Sequence, residues 1–339
     1  MTKHLLLFAA VGLTLVGNAR GYGNAGHQVI GTLAQHYLVG TRAEKEVLAL
    51  LRKGEGLDRA ATWADRAKLP EKYLSDEMKD FVTNNPEHHS YHYCDVPFQE
   101  KAYREGITGT NKNDIVHTLR ACIEVLQKPE DNSANPLKIN KRVALMLVAH
   151  FIGDLHQPLH VGCSYIDEKD QYVNPETGAK GQPDAGANYF HIKTRSGSPL
   201  HGYWDTATVK SSRDQAGAED YSVFISRHSP PQPDWNATGP ATTWPEQWAN
   251  DTLSLSKLCF QGLVPRDRFL VPKDEEHEEH FEWLVTLPDD YTIRSRDIVN
   301  VELSKAGYRL AALLKAVWPE TTAGAKPEEK AEEKAEDKK

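Results

Sequence analysis

Residues 141–160 read KRVALMLVAHFIGDLHQPLH. From Lys141 to Leu155 the segment, opened by Asn140, is apolar nearly all round a helix, the pattern of a helix buried at the centre of a bundle. Two polar side chains interrupt it. His150 and Asp154 are four positions apart and share one face, and His160 follows Pro158, where the helix must end or kink. An imidazole and a carboxylate are costly inside an apolar helix unless they pair or bind a cation.

Outward from this segment, apolar residues recur at helical spacing over 25–53 with a break at Gly40, over 57–68, from Asp114 to Leu126, and over 244–261 and 295–317. Strand signals are few. Residues 187–194 alternate weakly and predict half of a small β-hairpin, and nothing suggests a parallel sheet of alternating strands and helices. The expected fold is mainly α, with one domain over residues 22–318.

The two ends read differently. Lys3 and His4, the apolar run Leu5–Val16 and the small-x-small Ala19-Arg20-Gly21 predict a signal peptide over 1–21, cleaved before Tyr22. That run is short for a bilayer span, so no membrane anchor is expected and the location is secreted or periplasmic. Residues 319–339 are a charged low-complexity tail expected to be disordered. KDEEHEEH, 273–280, reads as a solvated acidic surface loop.

A formal charge of −8 leaves no basic footprint for a nucleic-acid backbone. Bound cations would reverse that sign locally. The four cysteines, Cys94, Cys122, Cys163 and Cys259, predict disulfides in an exported chain, with three complete pairings open. No C-x-x-C supports a thiolate zinc site.

The chain holds fifteen histidines. In LHGYWD, His201 and Asp205 repeat the four-residue spacing of His150 and Asp154. Asp65 lies in W-A-D, His92 precedes the turn of Y-H-Y-C-D-V-P, and His27 lies close to the expected mature start. Each has a plainer reading alone: a His150–Asp154 hydrogen bond, a solvent-facing turn at His201, structural roles for Asp65 and His92. Taken together, His27, Asp65, His92, His150, Asp154, His160, His201 and Asp205 exceed the roughly three protein ligands of one open zinc site. Imidazoles and carboxylates without thiolates suit zinc with open positions. Clustered divalent cations suit phosphoester hydrolysis, where they activate water and clamp the attacking and leaving oxygens.

The ordered motifs G-H-x-x-x-G, W-A-D, H-Y-x-x-x-P, H-F-I-G-D-x-x-Q-P-L-H, G-x-N and H-G-Y-W-D resemble those of the zinc-dependent class I nucleases. These are secreted single-strand-specific nucleases and 3′-nucleotidases that share the fold of the trinuclear-zinc phospholipase C. The resemblance implies a helical domain with three Zn2+ at the base of a cleft. Asp65, His92, His150 and Asp154 would hold the first, and His160, His201 and Asp205 the second. His27, a bridging Asp154 and the main-chain nitrogen and oxygen of Tyr22 would hold the third; Tyr22 stands where the family typically has Trp. The implied reaction hydrolyses a phosphodiester to a 5′-phosphate and a 3′-hydroxyl. Asp65 would orient or deprotonate the attacking water. Lys68, where the family often has Arg, would offset transition-state charge as a point charge and not as a fork. Tyr93 would stack on a base, Asp95 accept a hydrogen bond from it, and Asn188 bond near the phosphate. Stacking explains a preference for single-stranded nucleic acid or nucleotides, whose bases are available. A monomer is expected. One alternative is a lipid-directed phospholipase C-like enzyme, a group that typically has Glu where Asp205 stands. The other is a non-catalytic secreted zinc-binding protein.

Overall fold

The computed structural model describes residues 22–320 except 132, 195, 196 and 275–277. The expected signal peptide, 1–21, lies outside the described residues, as does the expected tail from 321 onward. Pro319 and Glu320, counted with that tail, are instead held: Arg42 donates its main-chain N–H to Glu320 at 2.8 Å and its guanidinium to the Pro319 carbonyl at 3.2 Å.

The fold is mainly α. The first helices are α1 (Gly23–Leu38), α2 (Arg42–Leu50), α3 (Leu57–Ala60), α4 (Trp63–Ala67) and α5 (Asp76–Asn84). After β1 (Val96–Pro97) come α6 (Ile115–Gln127) and α7 (Lys141–Leu155). Short strands β2 (Gly162–Cys163), β3 (Tyr165–Ile166), β4 (Tyr172–Val173), β5 (Gln182–Pro183) and β6 (Phe190–Ile192) follow. A single turn, α8 (Leu200–Gly202), runs through a π-helical stretch, Tyr203–Thr208, into α9 (Val209–Ala216). Then come α10 (Tyr221–His228), α11 (Trp244–Phe260), β7 (Arg266–Val271), β8 (His280–Val285) and α12 (Tyr291–Val317).

The apolar pattern of α7 has the predicted consequence. Asn140 caps it, accepting from the Val143 N–H at 2.9 Å, and every residue from Val143 to Leu155 is buried. α6 packs along it, and α12 covers both α7 and α1. The α1 interface is tight because Gly307 carries no side chain: a Cβ there would stand 2.6 Å from Leu33 Cβ.

Several expectations need correction. The helix expected over 57–68 breaks at Ala61–Thr62, which frees the Ala61 carbonyl for His150. Residues 187–194 turn back on the following chain through one antiparallel bridge, His191 to Pro199, while the longer pairings are β6 parallel to β8 and β7 antiparallel to β8. The segment 273–280 is not all loop, since His280 begins β8 and its ring stacks on Tyr189 at 4.1 Å. The expected disulfides are absent, and all four cysteines are unpaired and buried. Cys94 and Cys163 direct their thiols to the Val161 carbonyl at 3.6 Å and Asp184 Oδ1 at 3.0 Å. Cys122 and Cys259 fill the core from α6 and α11. Among the described residues no helix is long and apolar enough to cross a membrane.

Candidate metal centre

Six segments bring the eight predicted imidazoles and carboxylates together. α1 supplies His27, α4 Asp65, and α7 His150 and Asp154; His92 and His160 end the short turns His88–His92 and Pro158–His160. His201 and Asp205 lie on α8 and the π-helical stretch after it, a distortion that often marks functional sites. All eight are at least 95% buried.

Main-chain carbonyls aim the rings. His150 Nδ1 donates to the Ala61 carbonyl at 2.7 Å, His160 Nδ1 to that of His92 at 2.8 Å, and His201 Nδ1 to that of Gly186 at 2.7 Å. With Nδ1 as donor, each neutral ring presents the lone pair of Nε2 to the interior, as a metal ligand requires. His92 is the reverse case and presents Nδ1.

These inward atoms crowd one another. His150 Nε2 is 3.2 Å from His92 Nδ1 and 3.0 Å from Asp154 Oδ2, which is 2.8 Å from His92 Nδ1. His27 Nε2 is 3.2 Å from Asp154 Oδ1, yet neither forms a hydrogen bond. Asp65 Oδ2 is another buried oxygen without a partner. On the far side, His160 Nε2 and His201 Nε2 are 3.1 Å apart, with Asp205 Oδ2 3.4 Å from the latter. Three sets result, the first two sharing His150, each able to hold one cation: His27–Asp65–His150, His92–His150–Asp154 and His160–His201–Asp205. Orphaned buried acceptors facing one another are what a cation would satisfy, so the donor set fits zinc.

Burial lowers the rings of His27, His92, His160 and His201; in the cluster His150 alone is raised, its burial being outweighed by Asp154 and Asp65. Burial, followed by Lys68, holds His92 down to about 3, and burial, followed by His160, does the same for His201. Both rings are therefore neutral near pH 7 and free to ligate. Burial drives the Asp205 carboxyl well above its ordinary range. For Asp65, burial works against the charge, but Lys68, His150 and His92 overcome it and hold the carboxyl low.

The other predicted residues surround this cluster. Lys68 is no ordinary surface lysine: its side chain is 5% exposed and its Nζ lies 2.7 Å from Asp65 Oδ1. Tyr93 and Asp95 follow His92 in extended chain and are half-buried; the Tyr165 hydroxyl donates to the Asp95 carbonyl at 2.9 Å. Asn188 spends one amide N–H on the Ala185 carbonyl at 2.8 Å. Tyr22 is fully buried, with its hydroxyl donating to the His156 carbonyl at 2.6 Å. The backbone beside it abuts the site: a Cβ on Gly23 would stand 3.2 Å from the Asp205 carbonyl.

Three supporting residues escaped the sequence reading. Gln157 donates to Asp205 Oδ1 at 2.8 Å and accepts from the Leu159 N–H at 2.6 Å, fixing the carboxylate to the chain before His160. Gly153 leaves room for His27, since a Cβ there would fall 2.7 Å from His27 Nδ1. Asp184 organises a turn in which Ala185, Gly186 and Ala187 all have positive φ. Its buried carboxylate accepts from the Ala187 N–H at 2.9 Å and the Ser164 hydroxyl at 2.6 Å. That turn presents the Gly186 carbonyl to His201 Nδ1 and the Ala187 carbonyl to the His201 N–H. Non-glycine residues in this conformation are strained, and such strain gathers at functional sites. D-A-G-A-N carried the signal, of which only Asn188 was used.

The family model described as S1/P1 Nuclease matches residues 22–318. The chain belongs to the S1/P1 nuclease family. Endonuclease 4 of Arabidopsis thaliana is 24% identical over 321 residues, covering 90% of this chain and 91% of the relative. Endonuclease 2 of the same plant is 27% identical over 308 residues, covering 89% and 92%. Nuclease S1 of Aspergillus oryzae is 24% identical over 317 residues, covering 91% and 96%. This S1/P1 nuclease is thus a hydrolytic enzyme, and its buried imidazole–carboxylate cluster fits the zinc dependence of its family.

Proposed function

We propose that this S1/P1 nuclease, acting outside the cytoplasm as a single domain over residues 22–318, hydrolyses phosphodiester bonds of single-stranded DNA or RNA to 5′-phosphate products. The proposal includes 3′-nucleotidase activity. The observation that carries it is the set of three buried imidazole–carboxylate groups, in each of which the inward-facing atoms lie within 4.8 Å of one another.

Asp65, His92, His150 and Asp154 would hold one zinc ion, and His160, His201 and Asp205 a second. His27, the second oxygen of Asp154 and the main-chain nitrogen and oxygen of Tyr22 would hold a third. The 3.2 Å approach of His27 to Asp154 Oδ1, while Asp154 Oδ2 faces His92 and His150, supports Asp154 as the shared ligand. When bound, the zinc ions supply an activated water and neutralise charge on the phosphate. Asp65 would orient or deprotonate that water. Lys68, held against Asp65, offsets charge growing on the phosphate oxygens. Tyr93 offers a ring for a base, the Asp95 carboxylate accepts from that base, and Asn188 directs its remaining amide N–H to the phosphate.

The test is turnover of single-stranded oligonucleotide, duplex, 3′-mononucleotide and phosphatidylcholine by the zinc-loaded protein, with metal analysis of the same sample. Hydrolysis of the single strand to 5′-phosphate ends, lost in EDTA, is expected. Turnover of phosphatidylcholine alone would overturn the substrate assignment, and bound zinc without any hydrolysis would overturn catalysis.

A further inference from the structure

Arg309, on α12, is 2% exposed, and a buried guanidinium must satisfy several donors at once. Its Nε donates to the Trp235 carbonyl at 2.9 Å, and one terminal nitrogen donates to the Asp251 carboxylate. Its Cζ stands 5.6 Å from the centre of the Trp248 ring. The other terminal nitrogen lies 3.1 Å from His156 Nε2. His156 Nδ1, 2.7 Å from the Ile152 carbonyl, carries the ring proton, since that carbonyl can only accept. Nε2 therefore holds a lone pair, and Arg309 donates to it.

His156 is fully buried at the C-terminal end of α7, between Asp154 and Gln157. Its ring takes no part in the metal cluster; its main chain does the reaching. The His156 carbonyl accepts the Tyr22 hydroxyl at 2.6 Å, and Tyr22 is also fully buried. A bonded series thus runs from α12, through the end of α7, to the residue before α1. The cation also stands at the carbonyl end of α7, where the helix dipole favours positive charge.

We propose that Arg309 is a positioning residue for the third zinc site. By fixing the His156 ring it holds the carbonyl that seats the Tyr22 phenol, and so the Tyr22 main chain beside His27 and Asp154. The proposal rests on the reading given above, in which that main chain is a ligand. Arginine is needed because its fork reaches His156, Asp251 and the Trp235 carbonyl in their separate directions, which one ammonium does not.

The experiment follows the loss of zinc to a chelator from zinc-loaded protein, by metal analysis against time. Wild type, Arg309→Met, Tyr22→Phe and the double variant are compared. Arg142→Met is the control for lost stability. Arg142 holds Glu55, Glu77 and the Leu50 carbonyl from the first turn of α7, at the opposite end from His156. Arg309→Met and Tyr22→Phe should each speed the release of one zinc ion per chain about tenfold, with the others retained as in wild type. Because both act through the His156 carbonyl, the double variant should release that ion about as fast as either single one. A roughly hundredfold effect in the double variant would mean two independent contributions and would overturn the proposal. Arg142→Met should melt lower yet keep the wild-type release rate. Should Arg309→Met not fold, Arg309→Lys, which keeps a buried cation without the fork, takes its place in the same cycle. Wild-type release in the Arg309 variant, or equal acceleration in Arg142→Met, would limit Arg309 to packing α12. Two zinc ions and not three in the wild type would overturn the Tyr22 ligand, and the proposal with it. Three in the wild type with unchanged release in the variants would overturn the proposal alone.

Discussion

The ring of His27 lies on the ring of His150, centroids 3.9 Å apart and 18° from parallel. One belongs to the first helix and the other to the buried central one. They can meet because α7 offers no side chain at Gly153, against which His27 rests. Gly153→Ala is expected to push His27 out of the cluster while leaving α7 helical, since alanine is the better helix former. Zinc per chain should fall by one ion and activity by roughly tenfold or more. Metal analysis beside circular dichroism tests it; full zinc content in the alanine variant would show that His27 does not need this gap.

Asp184 should behave as a positioning residue. In Asp184→Ala the Ser164 hydroxyl and the Ala187 N–H lose a buried acceptor, at about 1–3 kcal/mol for each buried group left unpaired. The left-handed turn that aims His201 should relax, and zinc affinity at the His160–His201–Asp205 set should weaken. Asp184→Asn keeps one acceptor oxygen and should restore most of both zinc content and kcat. Equal loss in the asparagine and alanine variants would limit Asp184 to ordinary core packing.

Tyr22→Phe tests the seating of the first residue of the matched region. The substitution keeps the ring but removes the donor that reaches the His156 carbonyl at 2.6 Å. A loss of about 1 kcal/mol in stability is expected, together with weaker retention of one zinc ion during dialysis. Unchanged retention would mean that the backbone at this position is held without the phenol.

Asp95 gives a pH signature. Burial and the nearby charge of Asp184 push its carboxyl up to about 7, against an ordinary value of about 4. A carboxyl raised on folding stabilises the folded state fully below the unfolded pKa, and that contribution is lost as pH rises through the folded one. Asp95→Asn has no such group. Its melting temperature should gain on the wild type from pH 5 to pH 8, measured by calorimetry at fixed zinc. A constant difference across that range would place Asp95 in an ordinary solvated environment.

Metal removal should destabilise as well as inactivate. Without a cation, the lone pairs of His160 and His201 and the carboxylates beside them face one another in a buried space. EDTA-treated protein should melt several degrees lower, and zinc should restore it, because a ligand bound only to the folded state adds about 2.7 kcal/mol at a hundredfold excess over its Kd. An unchanged melting temperature would mean the cluster does not hold metal in the native protein.

The eight side chains of the cluster were legible because each is an expensive residue in an apolar setting. His150 and Asp154 in α7 have no bland explanation once the helix is known to be buried. Their supports were illegible for the opposite reason. The Ala61, His92 and Gly186 carbonyls that aim the rings carry no side-chain signature, and Gly153 acts through the atom it lacks. His201 and Asp205 have helical spacing, yet the turn between them is π-helical, which four-residue spacing cannot reveal. β7 and β8 were missed because an acidic stretch between them hid their pairing. α5 was missed because its nine residues are mostly polar and charged.

Helix α1 follows Tyr22 and carries His27, and the element it packs against most extensively is α12, at the other end of the matched region. Synthesis delivers these partners in the least convenient order, the first helix long before the last. Until Tyr291–Val317 arrives, α1 lacks its most extensive partner, and the helix that carries His27 is held only by the elements that precede α12. Contacts of such sequence separation are slow to close. The rate at which newly made chains acquire their full metal complement should therefore be set by the arrival of α12 and not by the supply of zinc.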